Sequence, residues 1–212
     1  MVLLSPSVSG LSKMLQKCEQ YMLSHGMVYN TKKSEFMVFV SGNKKPKTVP
    51  PVLLNGVALK RVSHYKYLGH ILTESLRDDM DIERERRALS VRCNMLARRF
   101  ARSSEQVKIT LFKAFCQSFY TSSLWVDYTQ RSYSALRVQY NNAFRVLLRR
   151  PHFCSASAMF TEARTDGFHA IIRKRAASML RRLRDSHNSI LEVIADRIDC
   201  KLLKHWIKLL IN

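Results

Sequence analysis

The hydrophobic period of this chain changes once, just after Leu72, and does not change back. Ahead of that point apolar residues sit in short runs bounded by turn formers, as strands require; beyond it they recur at helical spacing. Residues 1–72 therefore read as α+β and the remainder as helical.

Within the first part, Val2 to Leu4 reads as a short buried strand. Leu11, Met14, Leu15, Cys18 and Met22 then mark a helix over 10–25, capped by a hydroxyl of Ser5-Pro-Ser-Val-Ser and closed by Gly26. Phe36 to Val40 reads as a buried strand, so Asn30 to Ser34 becomes a tight polar connection presenting Lys32 and Lys33 from a rigid base. Residues 41–47 read as a mobile polar linker. Val52 to Leu59 is a hairpin signal, because Asn55-Gly56 supplies the two positive-φ residues of a type I′ turn. Tyr65 to Leu72 is expected to continue the sheet, with Tyr65 and Tyr67 on one face and a bend or bulge at Gly69.

Four apolar stripes follow the switch. They are Ile82, Leu89, Cys93, Leu96 and Phe100; Val107, Leu111, Ala114, Phe115, Ser118 and Phe119; Leu136, Tyr140, Ala143, Phe144 and Leu147; and Phe168, Ile171, Ile172, Arg175, Met179 and Leu183. Ser103-Ser-Glu-Gln caps the second, Pro151 stops the third, and Thr121 to Gln130 is the connection that carries Trp125. The stripes predict a helical bundle.

Charge narrows the partners. Thirty-six lysines and arginines against 16 acids give a net charge of +20, a self-repulsion that a polyanion relieves. The excess is uneven: from Arg131 to Arg184 there are twelve basic residues and only Glu162 and Asp166 against them. Solvated helix faces ordinarily mix signs. Arg149, Arg150, Arg173, Lys174, Arg175, Arg181, Arg182 and Arg184 are the candidate phosphate contacts, since the forked guanidinium suits phosphate oxygens. A generic basic surface is the plainer reading of the same residues. Five scattered cysteines form no Cys-x-x-Cys pair, which suggests neither a disulfide framework nor a zinc site and fits a reducing compartment. With no signal-peptide pattern and no membrane-length apolar run, the chain reads as soluble and intracellular.

Asp78-Asp79-Met80-Asp81 offers the paired carboxylates of a two-metal site. A structural role fits better: the five acids from Asp78 to Glu85 open a helix, where the dipole favours them, and interleave with Arg84, Arg86 and Arg87 at pairing distance. The seven histidines lack metal-ligand spacing, His152 and Cys154 being the nearest approach. Lys201 to Leu210 is basic and amphipathic; it suits packing on its own bundle better than a membrane surface.

Two segments carry a family resemblance. Gly26-x-x-x-Asn30-x-x-Lys33-Ser34 before an apolar strand resembles motif D of reverse transcriptases from non-LTR (LINE-type) retrotransposons. Tyr65-Lys66-Tyr67-Leu68-Gly69 resembles their primer grip, motif E, and the run from Asp81 to Arg86 resembles the start of their thumb. The resemblance implies a small antiparallel palm remnant over 1–72, a helical thumb over 73–150 and a basic helical extension over 151–212. It implies that Lys33, with Lys32 as fallback, donates a proton to or electrostatically partners departing pyrophosphate, and that a backbone hairpin in the Tyr65 to Gly69 segment, with Tyr67, Leu68 and Gly69, supports the primer end. It also places Met1 just after the family's aspartate pair. The ligands for the family's Mg²⁺ are then expected outside this chain, which would bind an RNA and DNA template–primer duplex without polymerising alone, the rest of the palm and the fingers being possible partners. Read without the resemblance, the chain is a stand-alone basic helical nucleic-acid-binding module.

Overall fold

Ser7 starts the first helix by accepting a hydrogen bond from the Gly10 backbone N–H at 3.1 Å, and α1 runs Val8–Ser24. Gly26, at φ +66°, supplies the left-handed residue that ends it. The computed structural model describes residues 1–40, 48–197 and 199–211, so the linker expected over 41–47 lies outside the described residues. The chain divides into two units, Met1–Leu76 and the residues from Arg77 onward. The expected thumb and extension helices both lie in the second.

The first unit packs Leu15 of α1 against Val52 and Leu54. Leu54 belongs to the hairpin of β2 (Leu53–Leu54) and β3 (Val57–Ala58), which turns through Asn55 at φ 50° and Gly56 at φ 72°, as the Asn-Gly signal predicts. Glu19 of α1 accepts from the Asn55 backbone N–H and ties the turn to the helix. Three expectations change. Val2 to Leu4 is not a strand and Val2 and Leu4 are exposed; among the described residues no strand pairs with it to satisfy its backbone. The strand expected over Phe36 to Val40 shrinks to β1 (Glu35–Phe36), which pairs in parallel, not antiparallel, with β4 (Lys60–Arg61). Among the described residues the strands form three two-stranded ladders in place of one continuing sheet; the last joins β5 (His64–Tyr67) to β6 (His70–Thr73).

The second unit is helical: α2 (Asp79–Arg99), α3 (Glu105–Cys116), α4 (Gln130–Leu148), α5 (Ala156–Glu162), α6 (Phe168–Arg184), α7 (Ser189–Asp196) and α8 (Lys201–Ile211). The α2 and α4 stripes are buried as their spacing predicts, apart from half-buried Phe100 just past the end of α2, and the Cys93 thiol donates to the Ala143 carbonyl across their contact at 3.0 Å. On α3 the buried face is turned by one residue. Ile109, Phe112 and Cys116 point inward, whereas Val107 and Phe115 are 44% and 46% exposed. Both faces of α3 are apolar, and Phe112 wins because it reaches Tyr140 and Phe144, ring centroids 5.2 and 4.7 Å away. On α6 the stripe continues through Ala176 and Leu180, leaving Arg175 exposed and Met179 half-buried.

The tail packs on its own unit. Leu203 and Trp206 of α8 close over Ala176, Leu180 and Leu183 of α6, and the Trp206 indole donates to the Ser123 carbonyl at 2.7 Å. Among the described residues no helix is long and apolar enough to cross a membrane. The described residues are α+β, mostly helical with three small ladders.

Candidate nucleic-acid interface

Gly167 precedes α6, whose sequence from Phe168 to Arg184 contains no acid. At about 3.6 residues per turn its cations fall into three rows: Arg173 with Arg184, Lys174 with Arg181, and Arg175 with Arg182. All six side chains are exposed, because the opposite stripe of Phe168, Ile172, Ala176, Leu180 and Leu183 is buried. Lys174 pairs with Asp166 at 2.6 Å; the five arginines form no ion pair among the described residues. The surface can therefore meet phosphate without first breaking a carboxylate contact.

The other basic candidates differ. Arg150 is held between Glu105 and Glu162 at 3.1 and 3.2 Å. Arg149 ends α4 in the left-handed region at φ 54°, and its guanidinium reaches the Ala101 carbonyl at 3.4 Å. In the first unit Lys32 and Lys33 are exposed on a single turn of 3₁₀ helix, Thr31–Lys33, which the Asn30 side chain caps by accepting from the Lys33 N–H at 3.1 Å. Tyr67 ends β5, and the hairpin turns through Leu68 at φ 46° and Gly69 at φ 87°. A tight hairpin turn, the geometry the resemblance implies, stands where an ordinary strand pair would bend or bulge, with Leu68 74% exposed at its tip.

The acids at the head of α2 hold the connection from α3 to α4. Asp78 accepts from the Val126 and Asp127 backbone N–H groups at 2.7 and 3.0 Å. Asp79 accepts from the Thr129 N–H and from the Thr129 and Ser132 hydroxyls. Asp81 accepts from Thr121, Trp125 and Arg84. The helix-pair contacts of Arg84, Arg86 and Arg87 form as their spacing predicts, but the burial of Asp78, Asp81 and Glu85 has no counterpart in the sequence reading. Burial alone would push the Asp79 carboxyl up; the bonds from Thr129, Ser132 and Arg77 outweigh it and hold it at about 2. Among the described residues no cluster of His, Cys, Asp or Glu is arranged to hold a metal ion.

Sequence reasoning missed a cleft of about 610 Å³ where the start of α4, α6 and α8 meet. Tyr128 and Tyr133 stack along one wall with centroids 5.2 Å apart and planes 16° from parallel. His205 meets Tyr128 edge-on at 5.7 Å, and His169 lies 6.1 Å from Tyr133. Burial, then Arg137 and Arg173, keep the His169 imidazole neutral further into the acid range; burial and Lys208 do the same for His205 against the opposing charge of Asp78. These residues span some eighty positions, so no local pattern announces them.

Set against family models, curated proteins and solved structures, the chain matches none.

Proposed function

We propose that this chain is the C-terminal part of a LINE-type reverse transcriptase, comprising a palm remnant, a thumb and a basic helical extension that together bind a template–primer duplex. The observation that carries the binding half of this reading is α6, an acid-free helix with five arginines that have no carboxylate partner among the described residues. The polymerase half rests on order: a capped lysine turn, then a tight hairpin at Tyr67-Leu68-Gly69, then a helical bundle. Both functional segments are backbone devices, suited to placing charge and main chain against a primer end.

The family's Mg²⁺ does not fit the donors at hand. The carboxylates nearest one another in sequence, Asp78, Asp79 and Asp81, are engaged by loop hydroxyls, backbone N–H groups and an indole. Nucleotide incorporation is therefore not assigned to this chain alone, and Lys33 is assigned an electrostatic role beside the reacting end.

A second reading, a basic helical module without polymerase ancestry, is favoured by the self-contained second unit. Fluorescence anisotropy separates the two. A thumb with a primer grip binds a recessed primer–template several-fold more tightly than a blunt duplex of equal phosphate count; equal affinities would favour the second reading. The genomic sequence upstream of Met1 gives an independent check, since an open frame ending in Tyr/Phe-Ala-Asp-Asp supports the first reading and unrelated sequence counts against it.

A further inference from the structure

The cleft walled by Tyr128 and Tyr133 has more bonding capacity than the protein uses. Neither tyrosine hydroxyl and neither imidazole, of His169 or His205, has a hydrogen-bond partner among the described residues. Tyr133 is buried, Tyr128 and His205 are half-buried and His169 is exposed, so the two hydroxyls and two imidazoles stand open to a molecule that enters the cleft. Arg173 and Lys208 line the same cleft, and neither forms an ion pair among the described residues. Among the described residues no carboxylate lines it; Asp78, whose charge acts on Tyr128 and His205, accepts from the Val126 and Asp127 backbone N–H groups.

Those features specify an occupant. The aromatic wall calls for a flat ring, the neutral imidazoles for a partner with both donors and acceptors, and the two cations for an adjoining anion. A volume of about 610 Å³ lies within the range of roughly 300–1,000 Å³ typical of small-ligand sites. We infer that this cleft takes an unpaired nucleobase of a single-stranded segment, with its phosphate on Arg173 and Lys208. The inference rests on the nucleic-acid reading above and extends it. Because Arg173 also belongs to the exposed rows of α6, a strand tracked by those arginines passes the mouth of the cleft. Stacking on aromatic side chains is tolerant of sequence, so any base is accepted.

The test uses the full chain and two single strands of equal length and phosphate number, one carrying bases and one abasic. Stacking of one base predicts that the base-bearing strand binds about tenfold more tightly. Tyr128→Leu brings the two affinities together while leaving that of the abasic strand unchanged. Should that variant fail to fold, photocrosslinking decides on the unaltered protein: a strand substituted with 5-iodouracil crosslinks to Tyr128, Tyr133 or His205. Equal affinities, or crosslinks confined to the outer face of α6, overturn the base site and leave the duplex reading standing. If neither strand nor the recessed duplex binds, the nucleic-acid reading falls and this inference with it.

Discussion

The Trp125 indole donates to Oδ2 of Asp81 at 2.8 Å, with both side chains closed to solvent. The same carboxylate takes the Thr121 hydroxyl at 2.7 Å and Arg84 Nε at 2.7 Å, so one side chain at the head of α2 fixes the loop that leads into α4. Asp81→Ala takes that acceptor from all three donors. Each buried donor left unsatisfied costs about 1–3 kcal/mol, so with Thr121 and Trp125 both orphaned, and Arg84 still held by Glu85 at 3.2 Å, a loss of about 2–5 kcal/mol is expected in urea unfolding followed by tryptophan fluorescence. A loss below about 1 kcal/mol, the scale of an ordinary hydrogen bond, would contradict the assignment.

The neighbouring acids make stability depend on pH. Hydrogen bonds from Arg86 hold the Glu83 carboxyl down against burial, with help from Arg87, and Asp79 is held down by its loop partners; both lie at about 2 in place of 4.5 and 3.8. A folded-state value below the unfolded one means stability that is fully present above the ordinary carboxyl range and is lost as the pH falls toward 2. Thermal midpoints should therefore drop steeply across that window. Asp79→Asn lowers the midpoint at neutral pH, and its gap from the unaltered chain closes on acidification. Parallel curves would refute the linkage.

Phe112 and Phe115 separate the two faces of α3. Phe112→Ala empties a site packed against Tyr140 and Phe144 and should cost about 3–5 kcal/mol, whereas Phe115→Ala, on the exposed face, should cost about 0.5 kcal/mol or less. Comparable losses from the two would restore the face that the spacing alone suggests.

That pair also shows what periodicity can decide. On α2 and α4 one face is apolar and the other is not, so spacing identifies the core; on α3 both faces are apolar and the choice falls to the partner helix, which spacing cannot see. Asn55-Gly56 was legible because turn chemistry is local. Asp81 and Tyr128 were not, because a carboxylate held by a loop 44 residues away and a cleft assembled from three helices leave no local signature. The basic rows of α6 were legible as charge, while the engagement of Arg150 by Glu105 and Glu162 needed the fold.

Leu68 sits at φ 46°, in a region where an L-residue with a branched side chain is strained, and its side chain packs on almost nothing. Leu68→Asn would give this hairpin the same Asn-Gly pair that turns the other one, and should stabilise it by about 1 kcal/mol in thermal unfolding. On the proposed reverse-transcriptase reading the same variant should lose affinity for a recessed primer end but not for blunt duplex, and a stabilised protein with unchanged preference would remove Leu68 from the proposed grip.

Salt dependence tests the α6 surface, because each phosphate that a protein neutralises releases counterions. The slope of log affinity against log salt changes by about 0.9 for each contact with duplex DNA. Replacing Arg173, Arg181 and Arg184 together by glutamine should make that slope shallower by about 2 to 3 if all three reach phosphate. Stability should change little, since all three are exposed and without acidic partners among the described residues. Arg86→Gln supplies the comparison: that guanidinium is held by both carboxylate oxygens of Glu83, at 2.7 and 2.8 Å, so its removal should leave the slope as it was. A change in Arg86→Gln about one-third that of the triple variant, equal per charge removed, would mean that net charge alone, and not the rows of α6, draws the polyanion.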